Sequence, residues 1–244
     1  KEALARCTVW EFVAQPVDAA DLTSPWLTGK RRVLQAIQKI LGRSDYVGRS
    51  GICTWLNGVY WLEIVSRRPD GLLVISNLNE GGGAIESVQA AIEPDLVYPL
   101  LRGRDVSRWQ ATPEAHLLVT HESGMGLKAI RENDIAVRLP KTYAYLKHFE
   151  APLRKRSGYR RYFKPTDPFY STFNIGDYTF MTYRVAWARE DRALRAAVIG
   201  DIFSESTNLQ KRIMPDQTLQ FVPCETEQEA HYVCSLLNNS ISNY

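Results

Sequence analysis

The stretch Arg154-Lys155-Arg156-Ser157-Gly158-Tyr159-Arg160-Arg161-Tyr162-Phe163-Lys164 holds six cations, three aromatic residues and no acid. Lysine and arginine at that density neutralise phosphates, and Tyr159 or Tyr162 can stack on a sugar or a base. A second cluster lies upstream, Arg102-Gly103-Arg104-Asp105 followed by Arg108 and Trp109, where Gly103 lets the backbone approach a partner closely. Lys141 falls between the two and completes the candidate set for contacting a nucleic acid. The plain alternative for each cluster is a solvated loop whose arginines pair with neighbouring acids. Arg102 and Arg104 can instead hold a turn through Asp105, so 154–164 is the better candidate for facing phosphates.

The charge is regional. The 244 residues carry a net charge of only +3, yet residues 101–164 hold 14 Lys and Arg against 6 Asp and Glu, a net of +8. The rest of the chain holds 16 against 21, a net of −5. Positive charge gathered in one region is the expected footprint of a surface that meets a polyanion.

Catalytic patterns are weaker. Ser123-Gly124-Met125-Gly126, after an apolar run at 117–120, imitates the opening of a dinucleotide or S-adenosylmethionine fold. The next extended run, 136–139, ends at Pro140 without the carboxylate that would hold a ribose. Asp167-Pro168-Phe169-Tyr170 is similar to the Asp/Asn-Pro-Pro-Tyr/Phe loop with which amino-methyltransferases hold a flipped base, but Phe169 replaces the second proline. None of the nine lysines follows an Asp or Glu by two positions, which excludes the common metal-dependent nuclease motif. There is no Gly-x-Ser-x-Gly elbow. Cys7, Cys53, Cys224 and Cys234 fit neither a disulfide framework nor a zinc site, and His116 and His121, five apart, fall on opposite faces of a strand. Neither a catalytic group nor a metal site is therefore expected in these residues. With no run of 18 apolar residues, a membrane span is excluded, and reduced thiols point to the cytoplasm.

These side chains need a scaffold, and the pattern of apolar residues predicts one. Residues 2–13 and 26–41 read as amphipathic helices, the second ended by Gly42. Across 52–65, two β-prone runs flank Asn57-Gly58, the strongest local hairpin signal. Runs at 72–75, 88–92, 97–101, 117–120, 136–139, 183–188, 196–199 and 218–222 read as strands. The aromatic stretch 169–183 reads as strand and turn, 80–83 as a loop and 142–149 as a helix. Thr226 and Glu229 have the form of a capping box before an apolar-periodic helix at 230–237. Strands and helices do not alternate regularly, so the fold class is predicted to be α+β. Its sheets should be mixed but mostly antiparallel, with flanking helices and the C-terminal helix packed on a sheet.

Five patterns, in this order, resemble a known family: Gly51-Ile52-x-Thr54-x-x-Asn57-Gly58-Val59-Tyr60; Tyr98-Pro99-Leu100-Leu101-Arg102-Gly103-Arg104-Asp105-Val106 with Trp109 behind it; Pro140-x-x-Tyr143-x-Tyr145-Leu146-x-x-Phe149-x-x-x-Leu153-x-x-Arg156; Tyr178-x-Phe180 with Val185-x-Trp187; and Leu236-Leu237-Asn238-x-Ser240. The family is the adenine-N6 DNA methyltransferases of the Taq type, including those fused to an endonuclease, and the resemblance is to their target-recognition region. Trp55 stands where that family often has Gly.

The resemblance implies a division of labour. Residues 1–44 would link to an N-terminal catalytic domain of the same chain, and residues 45–244 would grip double-stranded DNA and read base edges in the major groove. A chain opening on Lys1 is expected to be a piece of such a longer protein. S-adenosylmethionine would then belong to the catalytic domain, with no cofactor in this segment. Two other readings stay open: a protein-interaction adaptor, and a self-sufficient methyltransferase using the 124–126 and 167–170 loops.

Overall fold

In the computed structural model, which describes residues 8, 10–39, 41–79 and 85–240, the chain divides into a unit ending at Asp45 and another beginning at Tyr46. In the first, β1 (Val13–Pro16) pairs antiparallel with β2 (Trp26–Gly29), and α1 (Arg31–Gln38) follows. The helix expected over 26–41 is thus shorter, because residues 26–29 give their backbone groups to β1 instead. The connecting loop is closed by Asp21, whose Oδ1 accepts from the backbone N–H of Thr23 at 2.8 Å. Most of the helix expected over 2–13 lies outside the described residues, and Val13 itself opens β1.

The second unit begins with β3 (Arg49–Ser50), the single turn α2 (Asn57–Tyr60), β4 (Trp61–Arg67), β5 (Leu73–Asn77), β6 (Gln89–Ile92) and β7 (Val97–Leu101). The short ribbon β8 (Val106–Ser107) and β9 (Gln110–Ala111) comes next, then β10 (Ala115–Leu118). Four short helices follow: α3 (Glu132–Arg138), α4 (Pro140–His148), α5 (Glu150–Lys155) and α6 (Ser157–Tyr162). The chain returns to strands with β11 (Tyr183–Ala188), β12 (Ala196–Ile199), β13 (Asp201–Ser204), β14 (Leu209–Arg212), β15 (Met214–Pro215) and β16 (Leu219–Cys224), and α7 (Glu227–Leu237) follows.

Two sheets organise this unit. One has the order β15-β7-β10-β4-β5-β6 and is antiparallel except for the β15–β7 pair. The other, β12-β11-β16-β3, is antiparallel throughout. The α+β expectation is therefore met. Leu62, Leu73 and Ile75 of the first sheet share a core with Leu146 and Leu153 of the helical segment and with Phe169 beyond it. On the second sheet, α7 buries Ala230, Val233 and Cys234 against Val185, Ala196 and Val222, as expected for a helix packed on a sheet. Thr226 caps α7, its Oγ1 accepting from the backbone N–H of Glu229 at 3.1 Å.

Three local expectations fail. The Asn57-Gly58 hairpin is absent: Thr54 donates its hydroxyl to Asn57 Oδ1, and residues 57–60 coil into α2. Gly58 serves close packing rather than a turn, since a Cβ there would stand 2.6 Å from Asn79 Oδ1. Residues 136–139 are the end of α3, not a strand. Glu132 and Asp134 occupy the first turn of that helix, and Pro140 starts the next one. The stretch 169–183 is mostly irregular, with a 3-10 turn at Asp177–Phe180 and a single bridge from Phe173 to Cys53. The loop at 80–83 lies outside the described residues. Cys53, Cys224 and Cys234 are buried free thiols. Among the described residues no helix is long and apolar enough to cross a membrane.

Candidate nucleic-acid interface

The basic stretch folds as α5 and α6 with a break at Arg156, and the break sorts its cations. Arg156 points inward and is only 5% exposed. Its guanidinium donates to four carbonyl oxygens: Leu153 (2.8 Å), Thr54 (2.7 Å), Phe169 (2.7 Å) and Ser171 (3.0 Å). Tyr60 and Tyr159 flank it, their ring centroids 5.5 and 5.7 Å away. Arg154 is half-buried and held by Glu150 at 2.8 Å and Glu132 at 3.8 Å. Tyr159 is buried and donates its hydroxyl to the Asp167 carbonyl at 2.6 Å, and burial raises its pKa. Arg156 and Tyr159 are thus internal braces. Lys155, Arg160, Arg161 and Lys164 face solvent, and among the described residues none of them has an ion pair.

Beside these cations lies a group of rings that the sequence alone did not assemble. Tyr162, 48% exposed, stacks on Phe173 (centroids 4.6 Å, planes 18° apart) and on Trp55 (5.8 Å, 10°). Trp55 also stacks on Phe173 at 5.6 Å and meets Phe163 edge-on. Arg161 lies over the Tyr162 ring at 5.3 Å. Trp55 has φ +54°, a left-handed conformation that ordinarily favours glycine. Its backbone thus holds a conformation that glycine adopts freely, while its ring joins the stack.

The second cluster divides the same way. Arg102, 4% exposed, is tied to Asp105, which takes both its backbone N–H and its Nε at 2.9 Å. Arg104 is exposed and reaches Asp105 at 3.8 Å. The β8–β9 turn carries exposed Arg108 and Trp109, and Trp109 donates its backbone N–H to Ala196 at 2.9 Å. A cleft of about 680 Å³ opens at Arg102 and Arg104, lined also by Trp61, Arg189, Glu190, Asp191, Arg195 and Gln217. Arg195 is paired there with Asp191 at 2.5 Å. The Lys141 side chain is exposed at the start of α4, and its backbone N–H binds Glu93 at 3.0 Å. Burial pushes Glu93 upward, but hydrogen bonds from Thr142 and from the Lys141 backbone outweigh it and hold the carboxyl below its ordinary value.

The loops considered for catalysis are built differently from what that chemistry needs. Gly124 donates its backbone N–H to Asp177 at 2.9 Å, in a turn that follows a strand of an antiparallel sheet. The helix after it leads to another helix, so the βαβ unit of a nucleotide fold does not form there. Asp167 Oδ2 accepts the Lys164 backbone N–H at 2.7 Å, closing a turn. Phe169 and Tyr170 are fully buried, and Tyr170 donates to the Ile130 carbonyl at 2.7 Å. Neither ring is open to a base, and neither loop fits S-adenosylmethionine or a flipped nucleotide.

No protein-family model matches the chain. Over 151 residues it is 26% identical to the Type II methyltransferase M.NspV from a Nostoc species, a match covering 62% of this chain and 29% of that protein. The match therefore spans under a third of the relative's length. The similarity points to a methyltransferase-related family of type II restriction–modification.

Proposed function

We propose that this chain is the DNA target-recognition region of a type II adenine-N6 DNA methyltransferase, gripping duplex DNA for a catalytic part of the same protein. One observation carries the reading: Lys155 at the end of α5, Arg160 and Arg161 on α6 and Lys164 just after it are all exposed and without acidic partners among the described residues. Surface cations without partners gain most by displacing the counterions of a phosphate backbone. The similarity to a type II methyltransferase and the resemblance of the five ordered patterns support the same partner. The transferred methyl group would come from S-adenosylmethionine held in that catalytic part.

The test is anisotropy titration of the 244-residue chain with random duplex DNA across a salt series, beside Arg160→Ala/Arg161→Ala. Each phosphate contact contributes about 0.9 to the slope of log affinity against log salt. The double variant is expected to flatten that slope by about 1.8. An unchanged slope would remove these residues from the interface. Absence of binding at low salt would favour a protein partner for the basic face.

A further inference from the structure

We propose that the Trp55–Tyr162–Phe173 stack is a binding site for an unpaired nucleobase. The proposal rests on the phosphate-gripping reading of the α5–α6 segment and adds a substrate preference to it. Tyr162 is the outward ring of the three, half-exposed, with Trp55 and Phe173 fixing it from below. That support is rigid. Trp55, itself left-handed, follows Thr54, whose carbonyl accepts from the buried Arg156, and its indole packs closely against Gly158 of the helix that carries Tyr162. A large ring kept in a strained backbone conformation at the surface is the kind of outlier that collects at ligand sites.

The neighbours define the ligand. Arg161 covers the Tyr162 ring at 5.3 Å and has no acidic partner among the described residues, while the exposed cations Lys155, Arg160 and Lys164 are close to it in the chain. A cation resting on an exposed ring is a weaker contact than a nucleobase stacked on that ring. A base can therefore take the ring face while Arg161 moves to the phosphate beside the base or stacks on its other side. Paired bases inside a duplex offer no free face, so the site selects bases that have left the stack: in a single strand, at a bulge or at a strand end. Ring stacking reads no donor or acceptor pattern, so the preference is for an exposed base rather than a sequence.

The test compares phosphate-matched ligands. The 244-residue chain is titrated by anisotropy with a short oligothymidine strand and with an abasic strand of the same length. A matched duplex is then compared with the same duplex carrying one extrahelical thymidine. The base-bearing member of each pair is expected to bind about 5- to 100-fold more tightly, the range given by stacking a single base. Tyr162→Ala is expected to remove this ratio, Tyr162→Phe to keep it, and Lys155→Ala/Arg160→Ala to weaken both members of a pair while leaving the ratio. Equal binding of abasic and base-bearing ligands, with steep salt dependence, would overturn the stacking site alone and leave the phosphate grip standing. No binding of any ligand at low salt would overturn both.

Discussion

The indole of Trp55 lies so close over Gly158 that a Cβ at position 158 would stand 2.0 Å from the ring. The two residues are 103 positions apart, and each has an unusual property. Trp55 takes a left-handed conformation that costs a non-glycine residue about 1–2 kcal/mol. Gly158 sits inside a helix, where glycine costs roughly 0.5–1 kcal/mol relative to alanine. Both penalties oppose folding, so the contact they permit has to offset them, and it does so by placing the indole flat beneath Tyr162 and Phe173.

Gly158→Ala is accordingly expected to destabilise the protein by about 1–3 kcal/mol, the usual cost of overpacking, although alanine is the better helix former. In a Trp55→Gly background the same substitution should turn mildly stabilising, because the clash is gone and the propensity gain remains. Chemical denaturation of the four proteins in this cycle measures the coupling directly. Independent, additive effects of the two substitutions would show that the ring does not rest on Gly158.

Arg156→Ala should be among the most damaging changes in the second unit. It removes four side-chain hydrogen bonds; the Leu153 carbonyl keeps the backbone N–H of residue 156, but those of Thr54, Phe169 and Ser171 lose this donor, and an orphaned buried polar group costs about 1–3 kcal/mol. The expected loss exceeds about 3 kcal/mol, and Arg156→Lys should recover only part of it, because an ammonium lacks the planar fork that reaches several acceptors at once. A denaturation midpoint left in place by Arg156→Ala would contradict the bracing role.

Arg156 also shows what the sequence could and could not reveal. Its neighbours in the chain are basic, and density of charge says nothing about which member faces in; the break between α5 and α6 decides that. The ordered patterns proved to mark scaffold. Arg102 holds Asp105, Tyr145 donates to the Val59 carbonyl at 2.7 Å, and Asn238 brackets Ala196. Strand β12 was legible because it is a continuous apolar run of strand length, and β11 because only Arg184 interrupts one. The hairpin at Asn57-Gly58 misled because the Asn side chain bonds to Thr54 and glycine answers a steric demand from Asn79, neither of which a dipeptide signal can report. The ring stack was illegible because Trp55, Tyr162 and Phe173 meet only through tertiary packing.

Asn238 closes the end of α7 onto the edge of the second sheet. Its Oδ1 accepts the Ala196 backbone N–H at 2.9 Å and its Nδ2 donates to the Ala196 carbonyl at 2.8 Å, all of it buried. Asn238→Ala leaves the Ala196 N–H without its partner, while the Ala196 carbonyl keeps the Trp109 backbone N–H at 2.9 Å, and is expected to cost about 1–3 kcal/mol, judged from one such orphaned group. Amide hydrogen exchange at Ala196 should speed up along with that loss. Unchanged protection would mean that water or a neighbouring group replaces the side chain fully.

Two histidines, His121 buried and His116 partly buried, weaken the fold in acid. Burial pushes His116 down to about 4 and His121 down to about 3, so both stay neutral in the native protein through the range where an unfolded chain protonates them at about 6.5. Between those values the unfolded state binds more protons, so stability is highest above about pH 6.5 and falls as the pH drops toward 4. Each histidine contributes up to about 1.4 kcal/mol per pH unit, giving a combined loss of about 2–3 kcal/mol between about pH 6 and 5. Asp216, whose carboxyl pKa is raised by burial, favours the native state as it gains its proton and offsets part of the decline, while the lowered carboxyls of Glu93, Glu150 and Asp201 titrate below that window. Urea denaturation across this interval should show the decline, and His116→Gln and His121→Gln should each remove about half of its slope. A stability that stays level from pH 7 to 5 would mean that these rings gain protons in the folded state, and hence that water reaches them.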